Sequence, residues 1–149
     1  MSATIYILNG PNLNLLGVRE PHLYGSTTLA QVEQLCRRVA SELALHCEFR
    51  QTNHEGVMVD WVQEAREKAV GVVINPAGLS FRSIPLLDSL KTLHQPIAEV
   101  HVTNIHRRDE LYQKSLVSLA ATGVICGFGV HGYEMAIRAV APQLAAVPA

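Results

Sequence analysis

The sequence predicts an α/β fold built on a doubly wound parallel sheet of five strands. Short β-branched runs alternate with amphipathic helical stretches along the chain, and residues 71–74 are apolar throughout, as in a strand buried on both sheet faces. No repeat, linker or low-complexity tract interrupts this alternation. We therefore expect residues 1–149 to form one flavodoxin-like domain with strand order 2-1-3-4-5.

The predicted elements follow from local signals. Strands are expected at residues 4–8, 47–51, 71–74, 97–102 and 124–127. Helices are expected at residues 28–45, 56–69, 83 onward, 109–113 and 133–141. A capping-box pattern at Thr28 and Gln31 opens the first helix. Pro85 lies in the first turn of the third, where its missing N–H is harmless, and Pro142 is expected to stop the last.

Composition excludes several classes of protein. The net charge is −1 without a run of Lys or Arg, which argues against general nucleic-acid or membrane-surface binding. No apolar stretch reaches the length of a membrane span, and the N-terminus does not have the pattern of a signal peptide. The three cysteines, Cys36, Cys47 and Cys126, form no CxxC pair and are interpreted as reduced core thiols. A cytoplasmic location is expected.

Polar side chains follow every predicted strand. They are Asn9, Asn12 and Asn14 after the first strand, Asn53, His54 and Glu55 after the second, Asn75 after the third, and His101, Thr103, Asn104 and His106 around the end of the fourth. A glycine turn follows the fifth. Because ligands of open parallel sheets bind beyond the carboxyl ends of the strands, this pattern predicts one shared pocket for a small molecule.

Other kinds of site are less well supported. Residues 127–132 fit GxGxxG, but the match falls in the last unit without an acidic partner about 20 residues on, so a tight turn between strand and helix is the better interpretation. The seven histidines form no metal-binding spacing. The cysteines lie within elements rather than at strand ends, which argues against a cysteine nucleophile.

The long connection at residues 16–26 is expected to be functional, because such connections usually span about 2–6 residues. It carries Arg19 and Tyr24 between Gly17 and Gly25, an arrangement suited to a flap. A free phenol, with a pKa of about 10, is a poor base at neutral pH, and a nearby guanidinium favours the phenolate. A solvated arginine and a surface tyrosine remain the alternative interpretation.

His101 is the candidate acid. It lies two positions after Glu99 on the fourth strand, so both side chains point to the same face of the sheet. A carboxylate beside an imidazole orients the ring and favours its charged form, as a general acid requires. A histidine within the core is the alternative.

These motifs resemble one family. The matching segments are ILNGPNLNLLGVREPHLYG at 7–25, QTNHEG at 51–56, INP at 74–76, AEVHVTNIH at 98–106 and GVICGFGVHGYEMA at 123–136. Over nearly the whole chain the sequence is similar to type II 3-dehydroquinate dehydratases, flavodoxin-like enzymes that convert 3-dehydroquinate to 3-dehydroshikimate. The NGPNLN segment and the loop that follows it are highly specific to that family.

The resemblance implies a role for each matching residue. Tyr24 would be the base, with Arg19 favouring its phenolate; Asn12 would help to hold a water that stabilises an enolate. His101, oriented by Glu99, would protonate the departing hydroxyl. The remaining implied contacts to substrate are Asn75, Asp88, which in the family reaches the site from a neighbouring subunit, Val102 and Thr103. The family uses no metal and no organic cofactor.

The resemblance also implies context. Family members assemble as trimers stacked into a dodecamer, and they serve the shikimate pathway of aromatic amino acid biosynthesis or quinate catabolism. Two positions depart from the family pattern: Phe81 stands where a pocket histidine is usual, and Tyr112 where a substrate-binding arginine is usual. Arg82, Arg107 and Lys114 are nearby cations that could compensate.

Three hypotheses therefore stay open at the level of sequence. The first is trans elimination of water from 3-dehydroquinate through an enolate. The second, motivated by Phe81 and Tyr112, is a paralogue that dehydrates a related, less polar hydroxy-keto acid. The third is a non-catalytic protein that binds a small molecule in the same pocket; the intact acid–base pair of Tyr24 and His101 speaks against it.

Overall fold

A computed structural model describes residues 3–144 and contains a parallel sheet of order β2-β1-β3-β4-β5. The strands are β1 (Ala3–Asn9), β2 (Leu45–Gln51), β3 (Gly71–Asn75), β4 (Ile97–His101) and β5 (Gly123–Cys126). The predicted fold class and strand order are confirmed. Alternate residues of the central strands point to opposite faces, which divides the core into two layers.

Helices cover both faces of the sheet. The helices are α1 (Pro21–Tyr24), α2 (Leu29–Glu42), α3 (Glu55–Lys68), α4 (Ile84–Leu90) and α5 (His131–Leu144). One layer of the core packs α2 and α5 against side chains such as Ile5 and Val73, and the other packs α3 and α4 against Tyr6 and Val72. Within residues 3–144, no helix has the length and apolar character needed to cross a membrane.

The register of the sheet places the predicted pocket residues side by side. Asn9 pairs with Gln51 on one side and with Asn75 on the other, so the first three strands end at the same level. His101 pairs with Cys126 at the end of the fourth and fifth strands. The carboxyl ends therefore form one edge, from which the functional side chains project.

Several boundaries differ from the sequence prediction. Helix α2 ends at Glu42 rather than near residue 45, because Ala44 adopts a left-handed conformation that turns the chain into β2. Helix α5 continues past Pro142 to Leu144, so the prediction that Pro142 stops it was wrong. A proline removes one N–H donor, but the helix continues for two more residues here. The predicted turn at 109–113 is a 3₁₀ turn at Glu110–Tyr112.

The glycine turn after β5 serves close packing, as expected. Gly127 has a φ of 95°, and a Cβ there would come within 3.0 Å of the Asn104 Cβ. Gly132, at the start of α5, lies against Val100 and Ile125, where a Cβ would be in van der Waals contact at 3.4–3.5 Å. These close approaches bring α5 onto the sheet directly behind the pocket.

Helix α2 should depend on its N-terminal cap. Thr28 Oγ1 accepts a hydrogen bond from Gln31 N, and the Gln31 side chain accepts one from Thr28 N. We expect Thr28→Ala to lower the free energy of unfolding by about 1 kcal/mol, because alanine lacks the Oγ1 that accepts from Gln31 N. Urea denaturation would measure the change. Thr27→Ala is the matched control, with an expected change within about 0.5 kcal/mol; equal losses in the two variants would contradict the assignment.

Candidate active site

A buried hydroxyl ties together the strand ends beneath the pocket. Tyr133 on α5 is fully buried; its hydroxyl donates to Asn9 Oδ1 at 2.7 Å and accepts from Asn75 Nδ2 at 2.9 Å. Burial raises the pKa of this phenol, so it stays neutral. Asn75 Oδ1 accepts from Ala77 N at 3.2 Å, which fixes the orientation of the amide. The second N–H of Asn75 has no partner among residues 3–144, so Asn75 offers a donor to the cavity.

Hydrogen bonds join the loops that follow β1, β2 and β3. Gly10 N donates to Asn75 O at 2.8 Å, and Asn12 N donates to Asn53 Oδ1 at 2.9 Å. Gly10 is packed so tightly that a Cβ would lie 2.4 Å from Pro76 O, which explains why this position needs glycine. Asn12 adopts a left-handed conformation, φ 70°, which asparagine tolerates. Backbone N–H groups thus hold the loops of this half of the site together.

The long loop places its two predicted residues in contact. Arg19 Cζ lies 5.1 Å from the centroid of the Tyr24 ring, and Arg108 Cζ approaches the same ring at 5.7 Å. Tyr24 ends the short helix α1, which begins at Pro21 and was not predicted. Arg19 also forms an exposed ion pair with Glu20 at 3.3 Å. Two guanidinium groups thus flank the Tyr24 ring.

His101 and Glu99 form a buried pair at the end of β4. His101 Nε2 hydrogen-bonds to Glu99 Oε2, and Glu99 has no solvent exposure. Ser118 Oγ donates to the other carboxylate oxygen at 2.6 Å. Burial alone would raise the pKa of Glu99, but His101 and the hydroxyls of Ser115 and Ser118 outweigh it and leave the pKa below its ordinary value. Glu99 is therefore a carboxylate, and Nδ1 is the His101 ring nitrogen left for the cavity.

One cavity of about 220 Å³ brings most of the predicted residues together. Its lining includes Asn12, Arg19, Tyr24, Asn75, His101, Val102 and Thr103. Glu99 lies behind His101 rather than in the wall. Asp88 is exposed on α4 and does not line this cavity, so the chain alone does not bring it to the site. Among residues 3–144, no group of three or more His, Cys, Asp or Glu side chains is placed to hold a metal ion.

The wall formed by Phe81 and Tyr112 was only partly anticipated. The two rings meet edge to face at 5.4 Å, and the Phe81 ring lies 6.3 Å from the His101 ring. Arg108 Cζ sits 4.1 Å above the Tyr112 ring and lines the cavity. Of the cations considered from sequence, Arg82, Arg107 and Lys114 do not line it. Sequence reasoning did not single out Arg108. Its position four residues before Tyr112 was the signal that could have found it.

The cysteines match their expected structural role in part. Cys36 and Cys47 are buried, and burial raises the pKa of the Cys47 thiol to about 11 despite the nearby Arg37. A thiol with such a pKa is neutral and unreactive at pH 7. Cys126 is only partly buried, so the expectation of a core residue was wrong for this one. It does not line the cavity.

A phenol flanked by guanidinium groups and an imidazole backed by a carboxylate open onto one small cavity. At the carboxyl edge of a flavodoxin-like sheet, this defines an acid–base enzyme acting on a small polar molecule.

Comparison with known proteins names the family. The model of the class II dehydroquinase family matches residues 3–141, and the chain belongs to that family. It is 53% identical over 140 residues to 3-dehydroquinate dehydratase 1 of Agrobacterium fabrum, covering 94% of this chain and 97% of that protein. It is 52% identical over 141 residues to 3-dehydroquinate dehydratase of Phenylobacterium zucineum, with 95% and 97% covered. The crystal structure of type II dehydroquinase from Propionibacterium acnes superimposes with a TM-score of 0.91 at 43% identity, covering 95% of this chain and 98% of that one.

The Tyr133 hydroxyl should matter for the site as well as for the fold. We expect Tyr133→Phe to lower the free energy of unfolding by about 1–3 kcal/mol, because Asn9 Oδ1 loses its buried donor. We also expect KM to rise, since Asn75 Nδ2 loses the buried hydroxyl that accepts its N–H. Denaturation and steady-state kinetics would measure both. The control is Tyr6→Phe, whose hydroxyl donates to Glu64 at 2.6 Å away from the cavity; an unchanged KM in Tyr133→Phe would contradict the prediction.

Proposed function

We propose that the chain is a type II 3-dehydroquinate dehydratase, which eliminates water in the trans sense from 3-dehydroquinate to give 3-dehydroshikimate. Membership of the class II dehydroquinase family and the names of relatives about 50% identical support this reaction. The single observation that carries it is that Tyr24 and His101 line the same cavity. They supply the base and the acid that such an elimination needs.

In the first step, Tyr24 as phenolate removes a proton from the carbon beside the ketone. The electron pair moves onto the ketone oxygen and gives an enolate. Arg19 and Arg108 lie near the Tyr24 ring and place two positive charges beside the proposed base. Asn12 helps to hold a water that donates to the enolate oxygen, which lowers the energy of the charge that develops there.

In the second step, the enolate collapses and the bond from carbon to the hydroxyl oxygen breaks. The new double bond is conjugated with the ketone. His101 gives its proton to the leaving oxygen, which departs as water. Glu99 holds the ring in place and balances the imidazolium charge within the buried pair.

The rest of the pocket binds and orients the substrate. Asn75 donates its remaining amide N–H, and the backbone around Val102 and Thr103 receives the carboxylate. Asp88 completes the site of a neighbouring subunit, which requires a homo-oligomer based on trimers and is consistent with its exposure on α4. A dodecamer and a cytoplasmic location remain predictions for this chain.

The aromatic wall of Phe81 and Tyr112 does not by itself favour the paralogue hypothesis. Arg108 stacks on Tyr112 and keeps a guanidinium at this side of the cavity. Arg108 thus keeps one positive charge beside Tyr112. Assaying dehydroquinate beside analogues that lack a hydroxyl distinguishes the two substrates: preference for an analogue would favour the paralogue hypothesis.

The base and the acid should each be essential. We expect Tyr24→Phe and His101→Ala to lower kcat about 100-fold or more, because general acid–base catalysis typically contributes at least that factor. The ultraviolet absorbance of the conjugated enone product measures turnover directly. Circular dichroism and denaturation would show that both variants stay folded. Phe128→Ala, a change of an exposed ring outside the cavity, serves as the control; wild-type rates in both test variants would sink the mechanism.

The shared site can be tested by complementation. We expect Asp88→Asn and Tyr24→Phe to be weakly active when each is expressed alone. Co-expression should restore activity well above the sum of the two, because mixed assemblies contain sites with an intact Tyr24 and a neighbour's intact Asp88. Co-expression of Tyr24→Phe with His101→Ala is the control and should restore none, since both residues belong to the same chain's cavity. Equal results in the two mixtures would contradict a role for Asp88 across subunits.

A further inference from the structure

Ser118 contacts the acid pair from outside the cavity. It lies in the 3₁₀ turn Val117–Leu119, ahead of β5, and its hydroxyl donates to Glu99 Oε1 at 2.6 Å. His101 occupies the opposite carboxylate oxygen, Oε2. Each oxygen of this buried carboxylate thus has one strong partner. Ser118 does not line the cavity, so it does not touch a substrate bound there.

The turn that carries Ser118 is anchored on both sides. Leu116 N donates to Ser80 O at 2.7 Å, and Thr122 N donates to Ile97 O at 2.7 Å. Thr122 Oγ1 in turn accepts from Ile97 N at 2.9 Å. The hydroxyl therefore comes from a segment whose position is set by the sheet, as a fixed hydrogen-bond donor requires.

Few groups lower the pKa of the Glu99 carboxyl. Among the described residues, His101 is the one charged partner that lowers the pKa of Glu99; the neutral hydroxyls of Ser118 and Ser115 complete the set. Ser115 Oγ faces the carboxylate but makes no well-formed hydrogen bond. Ser118 thus gives the hydrogen bond of good geometry that replaces water at Oε1, and Ser115 lowers the pKa of Glu99 beside it.

We infer that Ser118 is a positioning residue for the acid of the reaction: its hydroxyl holds the Glu99 carboxylate in its charged form and in the orientation that aims His101 at the cavity. The inference rests on the proposed role of His101. The chain of contacts runs from Ser118 through Glu99 to His101, so the effect on the substrate is indirect. The inference predicts changes in kcat and in its pH dependence rather than in substrate binding.

The sign of the pH effect follows from the hydrogen bond. Without Ser118 Oγ the charged form of Glu99 loses a donor, so the pKa of Glu99 rises. On acidification Glu99 then takes up its proton at higher pH, and His101 loses its counter-ion. The acidic limb of kcat should move to higher pH by about one to two units, the size expected for a hydrogen bond to a charged group. At neutral pH, where Glu99 is still charged, kcat should fall about tenfold because the carboxylate no longer holds His101 in line; this is part of the roughly hundredfold or larger contribution of a general acid.

The test compares Ser118→Ala with the wild-type enzyme. Steady-state kinetics across pH should show the shifted limb with KM within about twofold, since no cavity contact is removed. Ser89→Ala is the matched control, because Ser89 Oγ is buried without a partner and away from the cavity; it should leave the profile unchanged. An acidic limb in Ser118→Ala that coincides with the wild-type limb would overturn the inference.

A second pair keeps the test decisive if the alanine variant does not fold. Ser118→Thr keeps the hydroxyl and should titrate like the wild type, whereas Ser118→Val has nearly the same shape without the hydroxyl and should show the shift. The position is only partly buried, so the extra methyl groups can be accommodated. Identical profiles for threonine and valine would overturn the role of the hydroxyl.

Nuclear magnetic resonance separates this inference from the proposed reaction. The ring nitrogens of His101, assigned by comparison with His101→Ala, report the coupled titration of the His101–Glu99 pair without turnover. The lower titration step should move up in Ser118→Ala. A shifted step in an enzyme that does not dehydrate dehydroquinate would refute the function and leave the positioning role standing. An unshifted titration step in an enzyme that dehydrates dehydroquinate would refute the positioning role and leave the function standing.

Discussion

A carboxylate with no contact with solvent is the constraint around which this site is organised. Burying the charge of Glu99 costs several kcal/mol unless partners replace water, and a missing partner leaves that cost uncompensated. His101 and Ser118 supply those partners, one at each oxygen. The imidazole is held in place by the same contacts that make the buried charge tolerable. Stability and the proposed acid catalysis therefore depend on one set of hydrogen bonds.

The two halves of the site are built differently. The binding half rests on strand ends joined by the backbone bond from Gly10 N to Asn75 O and by the Tyr133 hydroxyl, which bonds the Asn9 and Asn75 side chains. The basic half lies on a loop in which Arg19 is nearly half exposed and Tyr24 makes its contacts through ring faces rather than hydrogen bonds. Rigid positioning suits substrate orientation, and a more open loop suits substrate entry and water exclusion.

Sequence reasoning predicted the parts of the structure that depend on periodicity and on strand ends. The strand order and the gathering of Asn75 and His101 at one edge follow from alternating elements and the geometry of parallel sheets. Arg108 and the persistence of α5 beyond Pro142 did not follow. Both depend on tertiary contacts. The long Arg108 side chain stacks on Tyr112 only when the fold has placed that ring, and packing can keep the end of α5 helical where local propensity would end it.

The edge-to-face pair of Phe81 and Tyr112 has a pharmacological consequence. Inhibitors developed against relatives whose pocket has histidine and arginine at these positions would gain affinity there from polar substituents. In this chain the same region presents aromatic rings, 5.4 Å apart, under a guanidinium. An inhibitor with an aromatic group on that side would gain about 0.5–1.5 kcal/mol from each ring contact. Selectivity of roughly tenfold between closely similar enzymes becomes accessible through that one wall.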